Sequence, residues 1–205
     1  IKNRQCCLGR ITDSLMHNNL NPHATDEVVI LADENGKPAG TENKVVVHTA
    51  DTPLHFAFSA WLVRDGKLLL TRRALTKQTW PGVWTNSFCG HPAPGESNSE
   101  AVYRRARVEL GIDPADLSAP EEVLPDFAYR AVDSSGIVEN EICPVFITTL
   151  AADASFEPNP EEVDSYEWVD IAKAIAAIDA TPGVFSPWMV EELSHSQLRE
   201  TLLGR

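Results

Sequence analysis

The chain has 205 residues, of which 43% are hydrophobic and 23% charged, the proportions of one soluble globular domain large enough to bury a core without staples. No apolar run approaches the ~18 residues of a membrane span, which excludes an integral membrane protein, and the four cysteines (Cys6, Cys7, Cys89, Cys143) are too scattered for a secreted disulfide framework. The net charge of −13 argues against a nucleic-acid partner. Residues 44–107 nevertheless hold nine Lys and Arg against four acids, a basic island that suits a small anion.

Residues 1–27 carry no strand or helix periodicity and read as an N-terminal arm, with the globular domain spanning 28–205. Val28–Ala32 is a short apolar run closed by Glu34-Asn35-Gly36-Lys37, whose Asn-Gly centre marks a hairpin. Val45–Val47, Phe56–Val63 and Leu68–Leu70 read as further strands, the last two joined by Asp65-Gly66. Ser97–Gly111 is the clearest helix, with Ser97 and Glu100 as a capping box and Gly111 as its terminating glycine. Ile137–Leu150 reads as one strand in which Pro144 demands an edge or a bulge. Ile171–Ile178 is an Ala-rich helix, and Ser186-Pro187 opens a last helix running to about Leu203. Strands first and helices interspersed later predict an α+β fold, a mixed β-sheet core flanked by helices in one compact domain.

Several residues bear chemistry. Glu139 and Glu141 are two apart on a predicted strand, so both carboxylates face one side, and like charges side by side there need a cation or a proton to offset them. His48 and His55 bracket Pro53, and with His91 they complete three imidazoles and two carboxylates, a donor set suited to a divalent ion such as Mn²⁺, Zn²⁺ or Mg²⁺. Read without those neighbours, the same residues are surface histidines on a solvated strand. Cys89-Gly90-His91 follows the aromatic segment Trp80-Pro81-Gly82-Val83-Trp84; Cys89 is either a small buried hydrophobe or an acid/base or nucleophile beside a metal ligand. Cys143, within an apolar strand, takes the hydrophobic reading.

Gly90, Glu96, Arg104, Glu109, Gly111 and Ile112 fall in the pattern G-x5-E-x7-R-x4-E-x-G-I, most of a Nudix box. Arg105 and Val108 stand where the hydrolases of that superfamily carry glutamates, so the scaffold is similar to Nudix while its hydrolytic carboxylates are depleted. Thr85–Pro92, Gly136–Pro144, Phe185–Met189 and Leu70–Leu75 together resemble type I isopentenyl-diphosphate isomerases, from about Val28 to about Leu203. The resemblance implies conversion of isopentenyl diphosphate to dimethylallyl diphosphate in isoprenoid biosynthesis. By the same resemblance, one divalent metal is held by His48, His55, His91, Glu139 and Glu141, and Cys89 with Glu141 is the acid/base pair. It further implies that Glu109 holds a Mg²⁺ arriving with the diphosphate and that Lys44, Arg73, Lys77 and Arg105 contact the diphosphate. Tyr129 supports the glutamate and Trp188 covers the hydrocarbon. Which of Cys89 and Glu141 gives the first proton stays open. The expected partner is the small allylic or homoallylic diphosphate alone, with a monomer in the cytoplasm as the default. The competing readings are a Nudix diphosphohydrolase acting on a nucleotide or other small diphosphate, and a metal-stabilised module without turnover.

Overall fold

A computed structural model of the chain describes residues 27–205; the expected arm, Glu27 excepted, lies outside them. The first hairpin pairs β1 (Val28–Ala32) with β2 (Pro38–Asn43) across the Asn35-Gly36 turn. The next segment departs from expectation. Val45–Val47 is one turn of helix, α1 (Lys44–Val47), because the Asn43 side chain accepts from the Val45 amide at 2.8 Å and offers a cap in place of a ladder. Only Val47 of the three valines is buried.

The expected strand Phe56–Val63 is broken at Ala57 into β3 (His55–Phe56) and β4 (Phe58–Arg64), and the expected strand Ile137–Leu150 is broken at Cys143-Pro144 into β10 (Val138–Ile142) and β11 (Val145–Thr149). The two breaks lie side by side. β3 runs parallel to β10 in a sheet of order β2-β1-β3-β10-β9, with β9 spanning Ala128–Val132. β4 runs parallel to β11 in a second sheet of order β12-β5-β4-β11-β8, formed with β5 (Lys67–Arg73), β8 (Glu121–Leu124) and β12 (Val163–Asp170). Proline cannot donate to a ladder, and Pro144 sits where the strand pair crosses between sheets; there Ala57 donates to Ile142 O at 2.9 Å and Ser59 to Pro144 O at 3.0 Å. The short strands β6 (Trp84–Thr85) and β7 (Phe88–Gly90) pair with β5 and β4.

Side-chain alternation along β4 makes the second sheet the middle layer of three. Phe58, Ala60 and Leu62 face α2 (Asn98–Leu110) with Val102, Ala106 and Leu110. Trp61 and Val63 face the other way, onto α3 (Ile171–Ala180), α4 (Pro187–Ser194) and α5 (Ser196–Leu203). The last two were expected as one helix; the run Ser194-His195-Ser196 has low helix propensity, and His195 adopts extended dihedrals. This mixed-sheet, helix-flanked arrangement is the expected α+β architecture.

The capping box of α2 is formed in both directions, Ser97 Oγ accepting from the Glu100 amide and Glu100 Oε2 from the Ser97 amide. Its far end closes on Gly111, whose φ is +65° and whose missing Cβ leaves room for Glu157 O; a Cβ there would sit 2.5 Å from that oxygen. Gly111→Ala should therefore cost about 1–3 kcal/mol in urea unfolding. A loss below about 0.5 kcal/mol would show that the cap does not constrain the helix end.

Candidate active site

The corner where the strands change sheets gathers the titratable residues. His55 ends up opposite Glu141 in the parallel β3–β10 pairing, and Tyr129 of β9 opposite Glu141 on its other side. His48 follows α1, so the unforeseen helical turn carries it to the same corner. His91 follows β7 on a loop that Arg104 fixes, donating to both Glu96 oxygens at 2.7 Å and to His91 O at 2.9 Å. The three imidazole centroids lie 5.2–5.8 Å apart.

His48, His55, His91 and Glu141 each present one donor atom, all within 4.8 Å of one another. Glu141 Oε1 lies 3.3 Å from Nε2 of both His55 and His91. His55 Nδ1–H donates to Pro53 O at 2.9 Å, which fixes the tautomer and leaves the Nε2 lone pair facing the cluster. That Nε2 is buried without a hydrogen-bond partner, as is His91 Nδ1. His55 Nε2, orphaned and buried beside the Glu141 carboxylate, is the kind of donor a divalent metal takes, and the residues present fit one. Burial keeps His91 neutral, lowering its pKa to about 4, and lowers that of His48 as well. Burial alone would raise Glu141, but the imidazoles of His55 and His91 set against its Oε1 hold it well below the usual carboxylate range.

Glu139, expected in the ligand set, faces the same side of β10 but is engaged otherwise. Its Oε1 accepts from Thr79 at 2.6 Å and its Oε2 from Tyr129 at 2.7 Å, and the Tyr129 hydroxyl also lies 3.0 Å from Glu141 Oε2. Burial and the Glu141 charge push Glu139 upward. The pair is thus one carboxylate favouring its charge and one favouring its proton, bridged by a phenol.

These groups open onto a cavity of about 630 Å³ that Cys89, Tyr129, Glu139, Glu141 and Trp188 also line. Cys89, on β7 opposite Ser59 of β4, is seated by Asn86, which donates to Sγ at 3.3 Å and accepts from it at 3.4 Å. Burial pushes the thiol well above its usual pKa, so it rests protonated. Asn86 Oδ1 also accepts from Trp188 Nε1 at 2.9 Å, tying the thiol to the indole. Trp188 is flanked by Trp80 edge-on at 5.4 Å, with the Arg73 guanidinium 5.5 Å above its ring. Lys44, Lys77, Arg105 and Glu109 line the mouth of the same cavity. Arg105 and Glu109, expected to meet diphosphate and metal, bond each other at 2.6 Å. The hub Asn86, the bridge Thr79 and the carboxylates Glu27 and Glu162 at the mouth escaped the sequence reading. Asn86 lay inside a motif already singled out; Glu27 fell within the expected arm and Glu162 lay in no motif.

A Nudix-domain family model matches residues 53–189. Solved structures share the fold: a Deinococcus radiodurans protein (TM-score 0.61, 22% identity, 82% of this chain and 98% of that one) and a Methanosarcina mazei MutT protein (TM-score 0.55, 22% identity, 73% and 96%). The chain belongs to the Nudix family. Curated relatives place it more narrowly. It is 58% identical to the isopentenyl-diphosphate Delta-isomerase of Corynebacterium diphtheriae, over 86% of this chain and 96% of that one. The corresponding proteins of Corynebacterium efficiens (56%; 87% and 94%) and an Escherichia coli strain (54%; 86% and 94%) are similar to the same extent. Within the Nudix family, the chain belongs to the isopentenyl-diphosphate Delta-isomerases.

One buried acid lies beneath the cavity rather than in it. Glu192 is wholly buried on α4, accepts from Trp61 Nε1 at 2.7 Å, and keeps Oε1 without a partner. Burial raises its pKa to about 8. The folded chain thus binds this proton more tightly than the unfolded chain, and stability falls as pH rises from about 4.5 to about 8. Glu192→Gln should remove that decline and exceed the parent in urea-unfolding stability at pH 8, on the order of a few kcal/mol, with the gap narrowing towards pH 4.5. A gap independent of pH would contradict a buried neutral acid.

Proposed function

We propose that this protein converts isopentenyl diphosphate to dimethylallyl diphosphate with Cys89 and Glu141 as its two proton-transfer groups. The observation that carries this assignment is that the Cys89 thiol, the Glu141 carboxylate and the Trp188 indole line one cavity. One group delivers a proton to the terminal methylene of the alkene, leaving a tertiary carbocation; the other removes a proton from the methylene on the diphosphate side, and the double bond forms there. Cys89 enters as thiol and Glu141 as carboxylate, so the resting protonation states suit an exchange in which one gives what the other takes. The cation between the two steps needs a dry wall and a negative face. Trp188 offers its π surface, held edgewise by the Asn86 bond, and such a contact is worth about 2 kcal/mol when desolvated.

His48, His55, His91 and Glu141 would hold one divalent ion, with Glu139 at its margin; such an ion supplies positive charge that keeps Glu141 ionised and fixed. Mn²⁺, Zn²⁺ and Mg²⁺ all accept this donor set. Lys44, Arg73, Lys77 and Arg105 gather the diphosphate, and Glu109 is placed to meet a Mg²⁺ travelling with it. The hydrolase alternative is disfavoured by the chemistry of α2: Arg105 and Val108 stand at its glutamate positions, and Arg105 neutralises Glu109.

Incubation with isopentenyl diphosphate and Mg²⁺ in D₂O, followed by proton NMR, should place deuterium in a methyl group of dimethylallyl diphosphate with no phosphate released. Cys89→Ala and Glu141→Gln should each lower kcat by roughly a thousandfold, with thermal melts showing an intact fold. Phosphate release without an allylic product, or near-normal turnover in either variant, would defeat the assignment.

A further inference from the structure

The cations at the cavity mouth already have partners. Lys77 pairs with Glu162, Arg105 lies 2.6 Å from Glu109 and 3.3 Å from Glu162, and Lys44 bonds Glu27 at 2.6 Å. Glu27 also stands 3.6 Å from Arg105. Three cations and three carboxylates thus cancel at the mouth. Arg73, the fourth cation, donates to Thr79 O and Oγ1.

A bare diphosphate gains little from such a mouth, because each cation it meets is shared with a carboxylate that repels it. A diphosphate carrying a divalent cation meets the opposite situation: its anionic oxygens find Lys and Arg while its metal finds the carboxylates. Two of the three acids each meet two clamp cations, Glu27 (Lys44 and Arg105) and Glu162 (Lys77 on the β5 side and Arg105 on α2), and Glu162 is the less exposed of the two, at 16% against 38%. Its own backbone is pinned, with Ala74 donating to Glu162 O at 3.0 Å and Glu162 donating to Asn159 O at 2.9 Å. We propose that Glu162 is a specificity-determining residue that tunes this mouth to metal-complexed diphosphate and against the free anion. The inference rests on the proposed substrate class and deepens it. Burial would raise Glu162, but Lys77 and Arg105 bring it down to about 2, so its charge is present at any working pH.

Inorganic pyrophosphate is the probe, and its affinity for the full chain is measured by calorimetry in EDTA and in excess Mg²⁺. Wild type should bind it more tightly with Mg²⁺ than without. Glu162→Gln should bind metal-free pyrophosphate on the order of tenfold more tightly than wild type, and its gain from Mg²⁺ should shrink to match. Glu162→Ser, which removes the same charge without an amide in its place, should behave alike, while Glu162→Asp should keep the wild-type preference. Loss of Lys77 and Arg105 positioning alone predicts weaker binding under both conditions, so a charge-free variant that binds metal-free pyrophosphate no better than wild type overturns the inference. Such a result leaves isomerase turnover in D₂O untouched; a protein that discriminates as expected yet forms no allylic product upholds the role of Glu162 and overturns the substrate assignment.

Discussion

The demand that shapes this molecule is electrostatic: two carboxylates, Glu139 and Glu141, are buried next to each other on one face of β10. Side by side in a medium of low polarity they cannot both be ionised without compensation. The surroundings meet that demand in layers. Tyr129 hydrogen-bonds both acids, Thr79 bonds Glu139, and His55 and His91 stand against Glu141. The His55 Nε2 left without a partner stands in a cluster of His48, His55, His91 and Glu141 that could hold a metal ion. Removing one member leaves the rest with an unpaired buried charge, which is why the site is a unit rather than a collection of residues.

The scaffold makes that unit possible through one topological device. A parallel strand pair crosses from one sheet to the other at Ala57 and at Cys143-Pro144, so the first halves, β3 and β10, carry His55 and Glu141 while the second halves, β4 and β11, are clamped between helix layers. Trp61, Leu62, Phe146 and Ile147 anchor the second halves with essentially no solvent exposure. Each such side chain contributes about 1.5–3 kcal/mol on burial, enough for the stable half to hold the polar half in register. Cys89 enters from β7, which pairs with the rigid strand β4, and Asn86 couples it to Trp188 on α4. Cys89, Glu141 and Trp188 thus come from three different elements, β7, β10 and α4.

The elements legible in the sequence were those with a local cause. The capping box and terminal glycine of α2, the Asn-Gly hairpin and the Ala-rich α3 all formed as their residues dictate. Val45–Val47 misled because β-branched residues favour strands, whereas the Asn43 cap and the exposure of Val45 and Val46 decided otherwise. Pro144 did signal an irregularity, but a change of sheet is a long-range event that no alternation pattern contains. β12 was invisible because its run Val163–Asp170 is studded with acids and largely solvent-facing; pairing with β5, not hydrophobic periodicity, makes it a strand. The residues that converge on the corner and its cavity, His48, His55, His91, Glu141 and Cys89, were singled out from their motifs and neighbours in the sequence. Glu27 and Glu162 were not, because an acid beside a turn says nothing about the arginine that folding brings to it.

The central claim is that the His/Glu corner completes its charge balance with one divalent metal and leaves the thiol free. X-ray absorption on protein loaded with one equivalent of Zn²⁺ tests it directly. The spectrum should report a shell of nitrogen and oxygen at about 2.0–2.2 Å dominated by imidazole scattering, with no sulfur. A sulfur neighbour at about 2.3 Å would mean that Cys89 is a ligand rather than a proton-transfer group, and would contradict the account.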